Sequence, residues 1–194
     1  MKRVLNVGSG SADIAIPSAY AGWDHVRLDI DPETGADIVL DARELINCVV
    51  GQFDVVYCSH NLEHYYRHDA LKVLQGFRHV LTDDGFAHIF VPDVAAAIRA
   101  FVANGLDIEG KLYDSPAGPI TVHDMIYGMG SAIAATGNDF YAHKTGFTEE
   151  LLVRMLRQAG FAMIAVGRRD LEIEVCAFRE ERGYLKWNQE QEAA

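Results

Sequence analysis

The chain is short of positive charge: 17 Lys and Arg stand against 28 Asp and Glu, a formal net charge of −11. Nucleic acid is bound by neutralising phosphates with Lys and Arg, so no nucleic-acid partner is expected. No apolar run reaches the length that spans a bilayer, and Met1-Lys2-Arg3 leads into the first strand without an apolar signal region. A soluble cytoplasmic protein with no membrane partner is therefore expected. Only three cysteines occur, Cys48, Cys58 and Cys176, far apart and without paired spacing. That excludes a disulfide framework and a zinc knuckle and leaves reduced core residues. There is no internal repeat and no second domain boundary. With 194 residues, 49% hydrophobic and 23% charged, the chain reads as one globular domain with enough length for a sizeable core.

What is present is concentrated at the start. Val4, Leu5 and Val7 read as a short buried strand that breaks at Gly8, Ser9 and Gly10, where missing side chains let backbone N–H groups approach a ligand. A second apolar run, from His25, ends in Asp29, 21 positions after Gly8. An acid there suits a carboxylate holding ribose hydroxyls in a βαβ nucleotide site.

Beyond this the chain alternates. Ser11 to Tyr20 should hold a helix of one or two turns, shortened by Pro17. Ala36 to Leu40 reads as a third strand ending in Asp41-Ala42, and Phe53 to Cys58 as a fourth that delivers Ser59, His60 and Asn61 to the carboxyl edge of the sheet. Asp69 to Leu81 has the apolar spacing of an amphipathic helix ended by Asp83-Asp84-Gly85, and Phe86 to Val91 is a fifth strand. Val94 to Ala103 reads as a helix, Asn104 to Pro119 as a surface connection, and Thr121 to Ala135 as a further helix. Thr148 should cap a helix over Glu149 to Ala159. Phe161 to Val166 and Leu171 to Phe178 close the sheet as an antiparallel hairpin, and the charged end is at most a frayed helix.

The segment VLNVGSGSA resembles the first motif of the class I S-adenosylmethionine (SAM) dependent methyltransferases. CSHNLEH resembles the fourth-strand segment of a small bacterial branch carrying Ser-His-x-Leu-Glu-His. HVLTDDGFAHIFVPD and HKTGFTEELLVRMLRQAGF resemble later segments of the same proteins. Asn6 stands where the family usually has Asp or Glu, and Ala12 where a third glycine usually falls. The resemblance implies an α/β fold: a Rossmann-like seven-stranded sheet, mostly parallel with a C-terminal antiparallel hairpin, and helices on both faces. It also implies a single SAM-binding domain over 1–180 with an insertion at about 94–145 and a charged tail over 181–194. Gly8, Ser9 and Gly10 would cradle the methionine part of SAM, and Asp29 with Ile30 the ribose. Asp41 and Ala42 would hold the adenine, with Ser59 bordering the reaction centre. The implied activity is SAM-dependent methyl transfer; the acceptor, which the resemblance does not fix, is expected to be small or medium, with O-methylation of a glycan or metabolite as the expected class. The sequence leaves the oligomeric state open, a homodimer included.

Methyl transfer is an in-line displacement that mainly needs alignment, with a base only where the nucleophile is an alcohol or phenol. His60, His123 and His143 are the candidate catalytic residues, His60 first by location, because an imidazole titrates near neutrality. Asn61, Tyr65 and Tyr127 accompany them. His60, His64, His123 and His143 could gather round a metal, and His60 with His64 has helical spacing. The flanking residues of a zinc peptidase are missing, however, and no metal site is assigned. Met125, Met129 and Ile133 read as core or pocket lining. Two other readings are a non-catalytic SAM-binding sensor or partner subunit, for which Asn6 leaves room, and a nucleotide-dependent oxidoreductase. The second is disfavoured because the third glycine of a dinucleotide loop would fall at Asp13.

Overall fold

Strand β1 (Arg3–Val7) lies fully inside the sheet, with Val4 and Leu5 wholly buried, as a short apolar run covered on both faces must be. The structure, a computed structural model, describes residues 1–49, 51–115 and 118–192. The chain continues through β2 (Asp24–Asp29), β3 (Ile38–Val39), β4 (Phe53–Ser59), helix α1 (Arg67–Val80) and β5 (Leu81–Pro92). Then come α2 (Val94–Ala103), β6 (Lys111–Ser115), β7 (Gly118–Thr121), α3 (Val122–Tyr127) and α4 (Gly130–Thr136). The last elements are α5 (Glu149–Gln158), β8 (Met163–Arg169), β9 (Glu172–Phe178) and α6 (Glu181–Glu192).

One seven-stranded sheet has the order β3-β2-β1-β4-β5-β9-β8. Its first five strands are parallel, and β9 runs antiparallel between β5 and β8. Alternation decides the layers. Val56 and Cys58 of β4 and Ala87, Ile89 and Val91 of β5 face the main core, where α1 contributes Ala70, Val73, Leu74, Phe77 and Val80, and α5 contributes Leu152, Met155 and Leu156. On the opposite face Val4, Tyr20 and Val55 form a smaller cluster with Trp23, Tyr57 and Phe86 around it. There the Tyr20 hydroxyl meets His88 Nδ1 at 2.6 Å, and His88 Nε2 meets Glu174 at 2.8 Å.

The differences from the sequence reading have local causes. The first helix is a single 3₁₀ turn, Ser18–Tyr20, because Pro17 fixes its own φ and supplies no N–H. The third strand shrinks to Ile38–Val39, at the sheet edge. Helix α1 ends at Val80, and Asp83-Asp84-Gly85 lies inside β5 rather than in a turn, opposite a register shift between Phe53 and Val55. The connection Asn104 to Pro119 contains β6 and the start of β7, which pair as a separate antiparallel hairpin. The helix expected over Thr121 to Ala135 breaks in two at Gly128, whose φ of 91° continues neither helix. The break is fixed from outside: His143 N–H donates to the Tyr127 carbonyl, and a Cβ on Gly128 would lie 2.0 Å from the Tyr141 carbonyl oxygen.

Everything from Val94 to Gly146 is an excursion between two paired residues, since Asp93 bridges Phe147 and Val94 N–H donates to the Phe147 carbonyl. Phe147 is wholly buried in the main core and anchors the return. The end of the chain, expected to fray, is helix α6. Tyr184 and Trp187 pack their rings on Phe178 at 5.4 and 5.5 Å between centroids. Arg182 pairs with Asp83 and Asp84 at 2.7 and 2.8 Å. Exposed ion pairs contribute little, so the aromatic contact holds the helix. Trp187→Ala should therefore cost about 2 kcal/mol and lower the melting temperature by ~5 °C in a thermal unfolding scan. An unchanged melting temperature would mean that α6 adds nothing to the fold.

Candidate functional site

The carboxyl ends of β1, β2, β4 and β5 open into a cavity of about 810 Å³, within the usual span for small-molecule sites, roughly 300–1,000 Å³. Its far wall comes from the excursion, through Tyr113, Met125, Met129, Phe140 and Tyr141. Open α/β sheets bind ligands at this place, where neighbouring crossovers part.

The glycine loop is tied to the end of β2. Gly8 and Ser9 N–H both donate to the Leu28 carbonyl, at 2.9 and 3.2 Å, and Gly10 N–H donates to Asp29 Oδ2 at 2.8 Å. These N–H groups thus serve the protein's own turn, and the glycines supply closeness instead. Gly8 has φ of 68°, and a Cβ there would lie 2.3 Å from Asn61 Nδ2. Asn61 Oδ1 is buried without a hydrogen-bond donor. Asp29, 9% exposed, also accepts from Asp31 N–H at 3.0 Å, so each carboxylate oxygen holds one backbone donor and keeps a lone pair for a ligand. Beyond it, Asp41 caps the 3₁₀ turn Ala42–Asn47 and grips the Arg43 guanidinium at 2.6 Å, which also reaches Asp69 at 3.3 Å. Burial opposes the charge of Asp41, but the Arg43 hydrogen bonds hold its carboxyl below the usual range.

The turn after β4 carries the densest charge. His60 has φ of 50°, the one non-glycine residue with positive φ among those described. Such backbone costs about 1–2 kcal/mol and is held here by His60 N–H donating to the Phe90 carbonyl at 3.0 Å. Its Nε2 meets Glu172 at 2.6 Å, and its Nδ1 lies 3.5 Å from Glu63 Oε1. Burial disfavours the imidazolium, yet the hydrogen bond to Glu172 and the nearness of Glu63 outweigh it and push the His60 pKa up to about 10. In that state His60 donates protons and has no lone pair to act as a base. Glu63 is 1% exposed and neither carboxylate oxygen has a hydrogen-bond donor. Burial raises the pKa of Glu63, but the facing imidazoles prevail and hold it below the ordinary value. Its backbone carbonyl accepts from Lys144 and Thr145 N–H at 2.8 and 3.1 Å, which clips the end of the excursion onto this turn. His64 and His143 follow, rings 5.1 Å apart, and burial lowers the pKa of His143.

Of the residues expected from sequence, Gly8, Ser9, Gly10, Asp29, Ile30, Asp41, Ser59, His60 and His143 line the cavity, as do Asn61, Tyr65, Met125 and Met129. Ala42 is buried in the main core instead, and the His123 ring packs on Tyr127, 5.0 Å between centroids, outside the cavity lining. Sequence reasoning passed over Glu63, although it sits between two histidines in a turn at a sheet edge. It also passed over Glu172, which only the insertion of β9 beside β5 brings opposite Pro92.

No family model matches the chain, and no curated protein matches it. Solved structures do. A SAM-dependent methyltransferase from Archaeoglobus fulgidus superposes with a TM-score of 0.58 at 15% identity, covering 91% of this chain and 85% of that one. This chain has the Rossmann-like methyltransferase fold. A SAM-dependent methyltransferase from Methanosarcina mazei gives 0.56 at 16% identity over 92% and 93% of the two chains. A possible histamine N-methyltransferase from Thermotoga maritima gives 0.58 at 14% over 93% and 83%. In this methyltransferase fold the cavity sits beside the glycine loop, whose packing can be tested directly. Gly8→Ala combines left-handed strain with overpacking and should destabilise the protein by about 2–4 kcal/mol. Adding Asn61→Ala removes the two nearest atoms but keeps the Asn61 Cβ, 2.7 Å from the new methyl, and should recover part of the overpacking in a denaturant titration. Equal stability of single and double variants would show that Asn61 does not press on Gly8.

Proposed function

We propose that the chain is a SAM-dependent methyltransferase acting on a small or medium acceptor. The observation that carries the reading is Asp29: a nearly buried carboxylate at the end of β2, fixed by two backbone N–H groups, with lone pairs left for a pair of ribose hydroxyls. The fold of the SAM-dependent neighbours supports it. So does Asn61, whose buried Oδ1 beside the glycine loop lacks a donor and suits the ammonium of a methionine moiety. Gly8, Ser9 and Gly10 would flank that moiety, Ile30 and Asp41 the nucleoside, and Ser59 the reacting side. SAM supplies an electrophilic methyl group on a sulfonium. The protein's part is to align the acceptor and exclude water. Tyr113, Phe140 and Tyr141, each more than a third exposed toward the cavity or solvent, offer ring faces on which a sugar or a planar metabolite can lie. O-methylation of such an acceptor is the proposed class, in the cytoplasm; no helix among the described residues is long and apolar enough to cross a membrane.

Calorimetric titration tests the cofactor assignment. SAM and S-adenosylhomocysteine should bind with Kd on the order of 10 μM, and Asp29→Ala should weaken both by about 10- to 100-fold through the lost charge-assisted hydrogen bonds. Absence of binding to either would overturn the reading. Binding without transfer to any hydroxyl acceptor would favour a sensor or partner subunit.

A further inference from the structure

Three lone-pair acceptors converge below the turn after β4 with no donor among them. The ligand atoms of Glu63, His64 and His143 all lie within 4.8 Å of one another. His64 Nδ1 meets the Ala142 carbonyl at 3.1 Å and His143 Nδ1 meets the Met125 carbonyl at 3.0 Å. A carbonyl oxygen can only accept, so both Nδ1 atoms carry the hydrogen, and in the neutral rings both Nε2 atoms present lone pairs. His143 Nε2 lies 4.0 Å from Glu63 Oε1. Glu63 adds two carboxylate oxygens, buried and without a hydrogen-bond donor. A buried carboxylate with two imidazole lone pairs beside it forms a three-ligand set for a cation, with His60 Nδ1, 3.5 Å from Glu63 Oε1, as the other source of positive charge.

We propose that Glu63, His64 and His143 bind one divalent transition-metal ion, with an open coordination position facing the cavity. Metal-bound histidines typically fix their tautomer by donating the second ring N–H to a carbonyl or carboxylate, as both do here. Two imidazoles and a carboxylate are ligands for Zn²⁺, Mn²⁺, Fe²⁺ or Co²⁺ rather than for Ca²⁺ or Mg²⁺. Ligand atoms about 2.1 Å from a shared ion lie roughly 3.4 Å apart, so rotations of Glu63 and the two rings close the present spacing. The site is framed in advance. Lys144 and Thr145 N–H hold the Glu63 carbonyl, and Met125, which orients His143, belongs to α3. The remaining faces of Glu63 are bounded by His60, whose Nδ1 at 3.5 Å is the competing source of positive charge. What the ion does rests on the methyltransferase reading. An open position on the acceptor side of the cavity would hold an oxygen of the acceptor and favour its deprotonated form.

The test uses the whole protein after dialysis against a chelator, titrated with Zn²⁺, Mn²⁺, Co²⁺ and Mg²⁺ while SAM binding is measured separately. One equivalent of Zn²⁺, Mn²⁺ or Co²⁺ should bind, with Mg²⁺ much weaker, and bound Co²⁺ should develop visible d–d absorption. Since loss of an outer partner alone typically weakens a metal by 10- to 100-fold, His64→Ala and His143→Ala should each weaken it by ~100-fold or more. Glu63→Gln should do so to a similar degree, while the exposed His25→Ala should bind as the parent does. SAM binding retained in the variants shows that they fold, and it separates the two readings: loss of SAM binding alone defeats the cofactor assignment, not the metal site. Failure of the parent protein to bind any of the three ions stoichiometrically would overturn the proposal, as would equal weakening by His25→Ala. In that case His60 alone balances Glu63.

Discussion

The structure depends on the point where its sheet changes direction. β1 lies between β2 and β4, and successive crossovers leave from its two sides, so the loops at the carboxyl ends part there instead of closing over one another. Parallel pairing sets how wide that gap is. Val7 stands level with Leu28 on one side and Cys58 on the other, so the glycine loop, Asp29 and the turn at Ser59–His60 emerge at one height. The Leu28 carbonyl and the Asp29 carboxylate then hold the loop, and the loop in turn sits against Asn61.

Glu63 is the second constraint. It is a charged residue in a 3₁₀ turn, wholly withdrawn from water, whose backbone pins the end of the excursion and whose side chain faces histidines from both segments. Burial of a carboxylate is unfavourable unless a cation or hydrogen-bond donors compensate. Its presence therefore says that positive charge gathers at this spot, from His60, from a bound ion or from both. The excursion closes over the crevice because Asp93 and Phe147 pair at its base, and because Lys144 and Thr145, at its returning end, hold the turn after β4. One contact thus joins the sheet edge to the wall opposite.

The likeness to solved methyltransferases extends over nine-tenths of the chain at about 15% identity, which is what a shared layer architecture with a divergent lining produces. The main core between the sheet and α1 and α5 is fully buried and tolerates only apolar residues, whereas the far cavity wall rests on short helices and a separate hairpin. The cavity therefore lies between a buried core on one side and a wall of short elements on the other.

The sequence alone determined the parallel half of the sheet. Short apolar runs at Val4, Val26 and Val55, each ended by glycine or a polar residue, read as strands, and the distance from Gly8 to Asp29 is the length of one crossover. Helix α5 with its Thr148 cap was equally legible, because capping is local chemistry. Other features were decided only by the tertiary structure. Gly128 breaks a helical pattern because residues 141–143 press on it. The charged tail becomes a helix because Phe178 offers Tyr184 and Trp187 a surface. Glu172 reaches His60 through strand order, across 112 residues, and His143 reaches Glu63 through the return of the excursion. Periodicity and caps are properties of a few consecutive residues, and a sequence displays them. A cluster assembled from separate segments has no local signature, so it appears only when the chain has folded.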